Sequence, residues 1–167
     1  MDTSKSPESP ADILAALGQG KPVYLPGAID LALRVTDEPD GSKPKTVVDP
    51  NGQRSVSHVT VVDRRGGITL VRVRLETGRT HQIRVHLSTL RHPVVGDPLY
   101  GGRVRKSLSL RPVERSLADA LLRTMARQAL HATELEFRHP ATGEVLHFES
   151  AAPEDFSRAL ELLRAFP

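Results

Sequence analysis

The sequence predicts an α+β domain built on a mixed, mainly antiparallel sheet with flanking helices. Two observations carry this prediction. Segments in which apolar and polar residues alternate are joined by glycine-containing turns, at 55–76 and again at 132–150, a pattern typical of antiparallel hairpins. Three other segments repeat apolar residues every three or four positions, which predicts amphipathic helices that cover a sheet.

The first predicted hairpin joins "SVSHVTVVD" (55–63) to "ITLVRVRLE" (68–76) through an Arg-Arg-Gly-Gly turn. Because successive side chains of a strand point to opposite faces, the second strand has one apolar and one charged face. The apolar face holds Val71, Val73 and Leu75, and the charged face holds Arg72, Arg74 and Glu76.

The segment "THQIRVHLSTLR" has helical spacing instead, because Ile83, Leu87 and Leu90 repeat at i, i+4 and i+7. Thr80 is placed to cap the start of this helix. A neighbouring stripe carries His81, Arg84, Ser88 and Arg91. Since only "TGRT" separates the charged strand from this helix, we expect their basic side chains to converge on one site.

The rest of the chain is organised around these elements. Residues 1–22 are expected to form a flexible lead-in, and 23–167 to form the domain. Residues 37–54 are rich in turn signals such as Pro-Asp-Gly. Helical spacing returns in "SLADALLRTMARQ" (116–128), which opens on a Ser-x-x-Asp capping box, and at about 153–165.

Positive charge is concentrated in the central third of the chain. Residues 64–111 carry eleven Lys and Arg against two acids, whereas the segments before and after them each carry six against nine. Such a patch is expected of a protein that binds the phosphate backbone of a nucleic acid. The alternative is a solvated face that only keeps the protein soluble.

Composition and motifs exclude several other classes. The chain has no cysteine, which excludes disulfides and thiolate metal sites and is compatible with the cytoplasm. No apolar run approaches the roughly 20 residues of a membrane span, and the polar, Pro-rich start is unlike a secretory signal. His81 and His86 do not share a helix face, so no metal site is predicted. No Walker, Rossmann or Gly-x-Ser-x-Gly motif is present.

Arg84 is the most informative single residue. It lies between Ile83 and Val85, and a guanidinium drawn into apolar surroundings requires an acidic partner, because an unpaired buried charge costs several kcal/mol. The helix itself offers none. The partner is therefore expected from elsewhere in the fold, from an RNA phosphate, or from a segment that this chain lacks. In the last case, Arg84→Met or Arg84→Leu is expected to stabilise the chain.

Several motifs in order resemble the RluA-like family of RNA pseudouridine synthases. They are "TGRTHQIRVH", "GDPLYGG", "LHA" and "HPATGE", which fall within about residues 27–157. The resemblance implies the family's fold, incomplete here on its N-terminal side, with the active site in a basic cleft. It implies an isomerase that detaches the uracil of a flipped-out uridine in structured RNA and rejoins it through C5, with no metal or organic cofactor.

The resemblance also assigns residues. It implies that Arg84 pairs with the family's catalytic Asp and that Leu130 packs near the uracil. That Asp belongs to a His-Arg-Leu-Asp segment, which this sequence does not contain. Asp97, between Gly96 and Pro98, is expected to form a turn rather than to replace it.

The resulting prediction is a pseudouridine synthase acting on rRNA or tRNA in the cytoplasm, whose catalytic Asp is supplied by an upstream segment or a second chain. The chain alone is expected to be inactive. The alternative is a non-catalytic RNA-binding module, or an interaction domain with an acidic protein partner. Residues expected at the active-site side or on the RNA backbone are Arg79, His81, Gln82, Arg72, Arg74, Arg103, Arg105 and Lys106.

Overall fold

The computed structural model describes residues 27–36, 44–65, 67–103 and 114–167. Its strands are β1 (Gly27–Thr36), β2 (Lys45–Val48), β3 (Gln53–Arg65), β4 (Ile68–Leu75), β5 (Glu134–Arg138) and β6 (Val145–Glu149). Its helices are α1 (Gln82–Thr89), α2 (Arg115–Thr124) and α3 (Glu154–Ala165). The predicted lead-in, together with Arg105 and Lys106, lies outside the described residues.

The strands form two sheets, a four-stranded one in the order β2-β1-β3-β4 and the two-stranded β5-β6. Every strand pairing within the described ranges is antiparallel. The predicted α+β architecture is confirmed. The sheet differs from the expected mixed arrangement in that no parallel pair occurs in the part of the chain that the structure describes.

Neither β1 nor β2 was predicted from the sequence, although only β2 lacks a clear pattern of its own. The strand β1 alternates clearly, with Ile29, Leu31 and Leu33 all buried. The strand β2 lies within the segment expected to consist of turns, and it forms because its residues pair with the end of β1, Val48 opposite Leu33. Short strands of this kind depend on their partner rather than on local preference.

The helix α1 packs on one face of the larger sheet. The core there combines Ile29, Leu31, Leu33 and Val59 of the sheet with Val85, Leu87 and Leu90 of the helix segment. Val71 and Val73 contact this core as predicted. Leu75 does not belong to it, because its side chain remains 44% exposed at the end of β4.

The expected cap at Thr80 is wrong. The N-cap of α1 is His81, whose φ of 55° puts it in the left-handed region, and it makes no side-chain capping bond. The first helical residue, Gln82, instead holds the turn before the helix, because its Oε1 accepts from the backbone N–H of Arg79 at 3.0 Å. A turn that holds a non-glycine residue in this conformation must be fixed by its surroundings.

A second core lies between α2 and α3. It contains Leu117, Leu121 and Met125, as the helical spacing predicts, together with Ala159 and Leu163. The helix α2 begins at Arg115, with Glu114 as its N-cap, rather than at the predicted capping box. None of the described helices is both long and apolar enough to cross a lipid bilayer.

The predicted hairpin near the C-terminus is confirmed as β5 and β6. Its register places Leu135 opposite Phe148 and Phe137 opposite Leu146, so one face is apolar. The rings of Phe137 and Phe148 stack with centroids 5.9 Å apart. Leu135, Phe137 and Phe148 are nevertheless exposed, and this face is not covered by described residues.

His86 is the most unusual group in the interior. Its side chain is fully buried, and neither ring nitrogen has a hydrogen-bond partner within the described part of the chain. Burial lowers its pKa from 6.5 to about 4, with a smaller opposing effect of Asp30. The ring is therefore neutral at pH 7.

We predict an acid-sensitive contribution of His86 to stability. Between pH 6.5 and 4 the unfolded chain binds a proton at this ring and the folded chain resists it, so the free energy of unfolding falls by about 3 kcal/mol as the pH is lowered through that interval. Urea denaturation at several pH values measures this decrease. In His86→Leu the decrease should be correspondingly smaller, and an identical pH dependence in both proteins would contradict the assignment.

Candidate active site around Arg84

Arg84 forms a two-point ion pair with Asp97. Its Nε lies 2.7 Å from Oδ2 of the carboxylate, and its Nη2 lies 2.8 Å from Oδ1. The Arg84 side chain is 12% exposed and that of Asp97 is 0% exposed. Two parallel N–H···O bonds of this kind are the strongest form of an arginine–carboxylate contact. The partner of Arg84 thus comes from elsewhere in the fold, the first of the three expected sources.

Asp97 also forms the turn that the sequence predicted. Its Oδ1 accepts hydrogen bonds from the backbone N–H groups of Leu99 and Tyr100, at 2.9 and 3.1 Å. Burial raises the pKa of this carboxyl, but the bonds from Arg84 and from the two backbone groups outweigh burial and hold the pKa below its usual value. Asp97 is therefore ionised and fully engaged inside the protein.

Tyr100 was not identified from the sequence, and it contacts three residues of the predicted helix stripe. The guanidinium of Arg84 lies over its ring at 4.9 Å from the centroid, a cation–π contact. Its hydroxyl lies 3.0 Å from Nδ1 of His81, and its backbone carbonyl accepts from Ser88 at 2.9 Å. In the sequence, Tyr100 stands three residues after Asp97 in "GDPLYGG". This motif predicts a turn, but it does not predict that Tyr100 contacts the helix.

Gln82 has an internal role instead of the expected contact with RNA. It is buried, its Oε1 accepts from Oγ1 of Thr77, and its Nε2 donates to the carbonyl of Val56 and to Oγ of Ser57. Together with the bond from Arg79, these contacts satisfy both ends of the amide. Gln82 thus fixes the segment between β4 and α1 against the sheet.

The expected convergence of strand and helix cations is wrong. Arg72 and Arg74 are exposed and alternate with Val71 and Val73, which contact the core under α1. The two strand arginines therefore project from the opposite face of the sheet. Arg79 is also exposed and precedes α1 on the chain, so it stays beside His81 and Arg84.

The remaining predicted residues have mixed placements. Leu130 is partly buried against the same core as α1, which puts it in the same cluster as Tyr100. Arg103 donates from its Nη2 to the carbonyl of Met125 at 2.8 Å, so it ties two segments of the protein together. Arg105 and Lys106 stay predictions, since they lie outside the described residues.

Two other carboxylates near the larger sheet, Asp30 and Glu76, pair with basic side chains of β3. Arg54 bridges Asp30 at 2.9 Å and Glu76 at 3.3 Å, and Glu76 also contacts Nε2 of His58 at 3.1 Å. These side chains are largely exposed to solvent. Within the described ranges, no three His, Asp or Glu side chains come together in a way that could hold a metal ion.

We predict that Arg84→Met destabilises the protein, which reverses the expectation for an arginine without a partner. The substitution leaves the buried Asp97 carboxylate unpaired, and breaking a buried pair in this way costs about 3–5 kcal/mol. Urea denaturation at pH 7 measures the change. Arg79→Met, which removes an exposed arginine, serves as the control and should change the free energy of unfolding by less than about 0.5 kcal/mol. An Arg84→Met protein as stable as the wild type would contradict the role given to the pair.

Comparison with known proteins identifies the family of this chain. A family model described as RNA pseudouridylate synthase matches residues 13–89. Over 120 residues the chain is 51% identical to ribosomal large subunit pseudouridine synthase D of Pseudomonas aeruginosa, which covers 72% of this chain and 36% of that protein. The relative of the same name from Vibrio vulnificus is 47% identical over 118 residues, 70% of this chain and 35% of its own length.

Solved structures agree with this result. Human RNA pseudouridylate synthase domain containing 4 superimposes with a TM-score of 0.52 at 26% identity, over 83% of this chain and 56% of that one. Human RNA pseudouridylate synthase domain containing 1 gives the same TM-score at 25% identity, over 84% of this chain and 60% of that one. The chain spans about a third of the length of the curated relatives it matches. Sequence and fold together show that the chain belongs to the RNA pseudouridine synthase family.

Proposed function

We propose that this chain binds a uridine-containing segment of large-subunit ribosomal RNA and forms the Arg84 side of a pseudouridine synthase active site. The observation that carries the proposal is the arrangement around Arg84. The arginine is fixed by Asp97 and Tyr100, and the exposed Arg79 and the partly exposed His81 lie next to it on the chain. The names of the relatives support ribosomal RNA as the substrate. A cytoplasmic location goes with that substrate.

The isomerisation requires a carboxylate that reaches the sugar or the base of the target uridine. Asp97 does not meet this requirement, because both of its oxygens accept internal hydrogen bonds and its side chain is inaccessible. In this proposal the reactive carboxylate comes from outside the described residues. We propose an upstream segment of a longer protein or a second chain as its source, and the greater length of the relatives supports a longer functional unit.

RNA binding draws on two groups of cations in this proposal. Arg79 lies beside the site and contacts the RNA near the target nucleotide. Arg72 and Arg74, exposed on the opposite sheet face, contact phosphates farther along the RNA. Contacts of the second kind set affinity and position without reading the bases. Arg103 contributes to the fold in this scheme, because its Nη2 donates to the backbone carbonyl of Met125.

A non-catalytic RNA-binding module is the second candidate. The engagement of Asp97 favours it, since the carboxylate paired with Arg84 is inaccessible to a substrate. Both candidates bind RNA in a salt-dependent way, and they differ only in whether the uracil is released and rejoined.

We predict that the chain binds an rRNA stem-loop with a steep dependence on salt. Each phosphate contact contributes a slope of about 0.7–0.9 in a plot of log affinity against log salt concentration. Replacing Arg72 and Arg74 together by alanine should therefore lower the slope by about 1.4–1.8. Arg158→Ala with Arg164→Ala, which removes two exposed cations from α3, is the charge-matched control and should leave the slope unchanged. A wild-type slope near zero would reject both candidates.

Catalysis is measured separately, with RNA that carries tritium at C5 of uridine. Joining C5 to the sugar displaces this hydrogen, so isomerisation releases tritium into water. The chain alone is expected to release none. When it is mixed with the remaining portion of the Pseudomonas aeruginosa relative, release supports the synthase, and binding without release supports the RNA-binding module.

A further inference from the structure

A short chain of hydrogen bonds joins Thr46, Tyr100 and His81. The backbone N–H of Thr46 donates to the hydroxyl oxygen of Tyr100 at 2.9 Å, and that oxygen lies 3.0 Å from Nδ1 of His81. A tyrosine hydroxyl has one proton to donate. Within the described residues, Nδ1 of His81 is the acceptor available to it. Donation from the hydroxyl to Nδ1 puts the ring proton on Nε2, the tautomer that this arrangement favours.

The surroundings of His81 keep this ring in place. It meets the Tyr100 ring edge to face, with centroids 5.6 Å apart at 78°, and its backbone is held in the left-handed conformation at the start of α1. Tyr100 in turn lies beneath the Arg84 guanidinium. The Tyr100 ring thus contacts both Arg84 and His81 and helps to orient their side chains.

The charge of the ring follows from the groups that face it. Burial and the nearby Arg84 lower the pKa of His81, and Asp97 opposes them. Tyr100 faces the ring from the "GDPLYGG" turn and Thr46 faces Tyr100 from β2. A neutral ring with its proton on Nε2 donates at that atom and does not accept there.

We propose that His81 presents its Nε2–H to an acceptor oxygen of the bound RNA and that Tyr100 is the positioning residue which fixes this tautomer. Nε2 has no hydrogen-bond partner within the described part of the chain. The proposal rests on the proposed function, since it names a contact made at that site. The His81 contact differs from the arginine contacts, because a neutral hydrogen-bond donor adds affinity for RNA without adding to the salt dependence of binding.

The tautomer is tested without RNA. Long-range proton–nitrogen correlation spectra of the protein labelled with ¹⁵N-histidine, recorded at pH 7.5, distinguish Nε2–H from Nδ1–H and from the protonated ring. The wild type should show the Nε2–H form. Tyr100→Phe keeps the ring beneath Arg84 but removes the hydroxyl, so His81 should lose its preference and give averaged shifts of both tautomers. An Nδ1–H or protonated His81 in the wild type, or an unchanged spectrum in Tyr100→Phe, would overturn the assignment.

The contact itself is tested by RNA binding at pH 7.5 over a series of salt concentrations. His81→Ala should weaken binding about fivefold at each salt concentration, the loss expected for one neutral hydrogen bond, with the slope unchanged. His81→Gln, whose amide places a donor near the position of Nε2, should recover part of the affinity. A reduced slope in His81→Ala would instead mean that the ring is charged and contacts the RNA as a cation.

Two comparisons complete the test. The first identifies the acceptor oxygen, and the second distinguishes failure of the His81 contact from failure of the proposed function. If His81→Ala loses the same affinity for RNA with an abasic site at the target, the oxygen belongs to the backbone; a loss that needs the uracil assigns it to a base carbonyl. Wild-type affinity in His81→Ala, with normal salt dependence, would overturn the contact and leave the proposed function intact. Absence of any RNA binding would overturn both, while the spectra still decide the tautomer.

Discussion

The buried pair of Arg84 and Asp97 is the interaction on which the site depends. An arginine whose side chain is 12% exposed is tolerated in the helix only because a carboxylate meets it at two points. The same carboxylate closes the turn that carries Tyr100. The pair therefore connects α1 to the segment after it and helps to place the Tyr100 ring that lies beneath Arg84.

This connection has a chemical consequence. A carboxylate that holds an arginine and a turn at the same time is fixed in its ionised state and shielded from a substrate. Asp97 thus has a structural role, and the isomerisation proposed for this site requires a carboxylate other than Asp97. The guanidinium of Arg84 is held in place by Asp97, and its backbone belongs to α1. Preorganised charge of this type costs little further ordering when a substrate binds.

The parts that sequence reasoning predicted are those with a local signal. The hairpin of β3 and β4, the hairpin of β5 and β6, and the three helices follow from the periodicity of their own residues. The need of Arg84 for an acidic partner follows from its apolar neighbours. The strand β2 was missed because its stability comes from β1, and Leu75 was misplaced because alternation does not reveal where the core ends.

The details of the site depended on contacts that alternation and helical spacing do not encode. Asp97 lies 13 residues after Arg84, and its turn signal gives no distance to the helix. Gln82 was expected to line the active-site side, although its amide is directed to β3. Tyr100 reaches Thr46 across 54 residues. The residues of the site can be read from the sequence, but the contacts between them form only in the tertiary structure.

The most direct test of this account is a double-mutant cycle for the free energy of unfolding, with Arg84→Met, Asp97→Asn and the double variant. Each single substitution leaves a buried partner unsatisfied, and the double substitution removes both charges. We expect a coupling energy of about 2–3 kcal/mol, with the double variant less destabilised than the sum of the two single variants. Additive effects, with a coupling energy below about 0.5 kcal/mol, would contradict the pair as the organising interaction of the site.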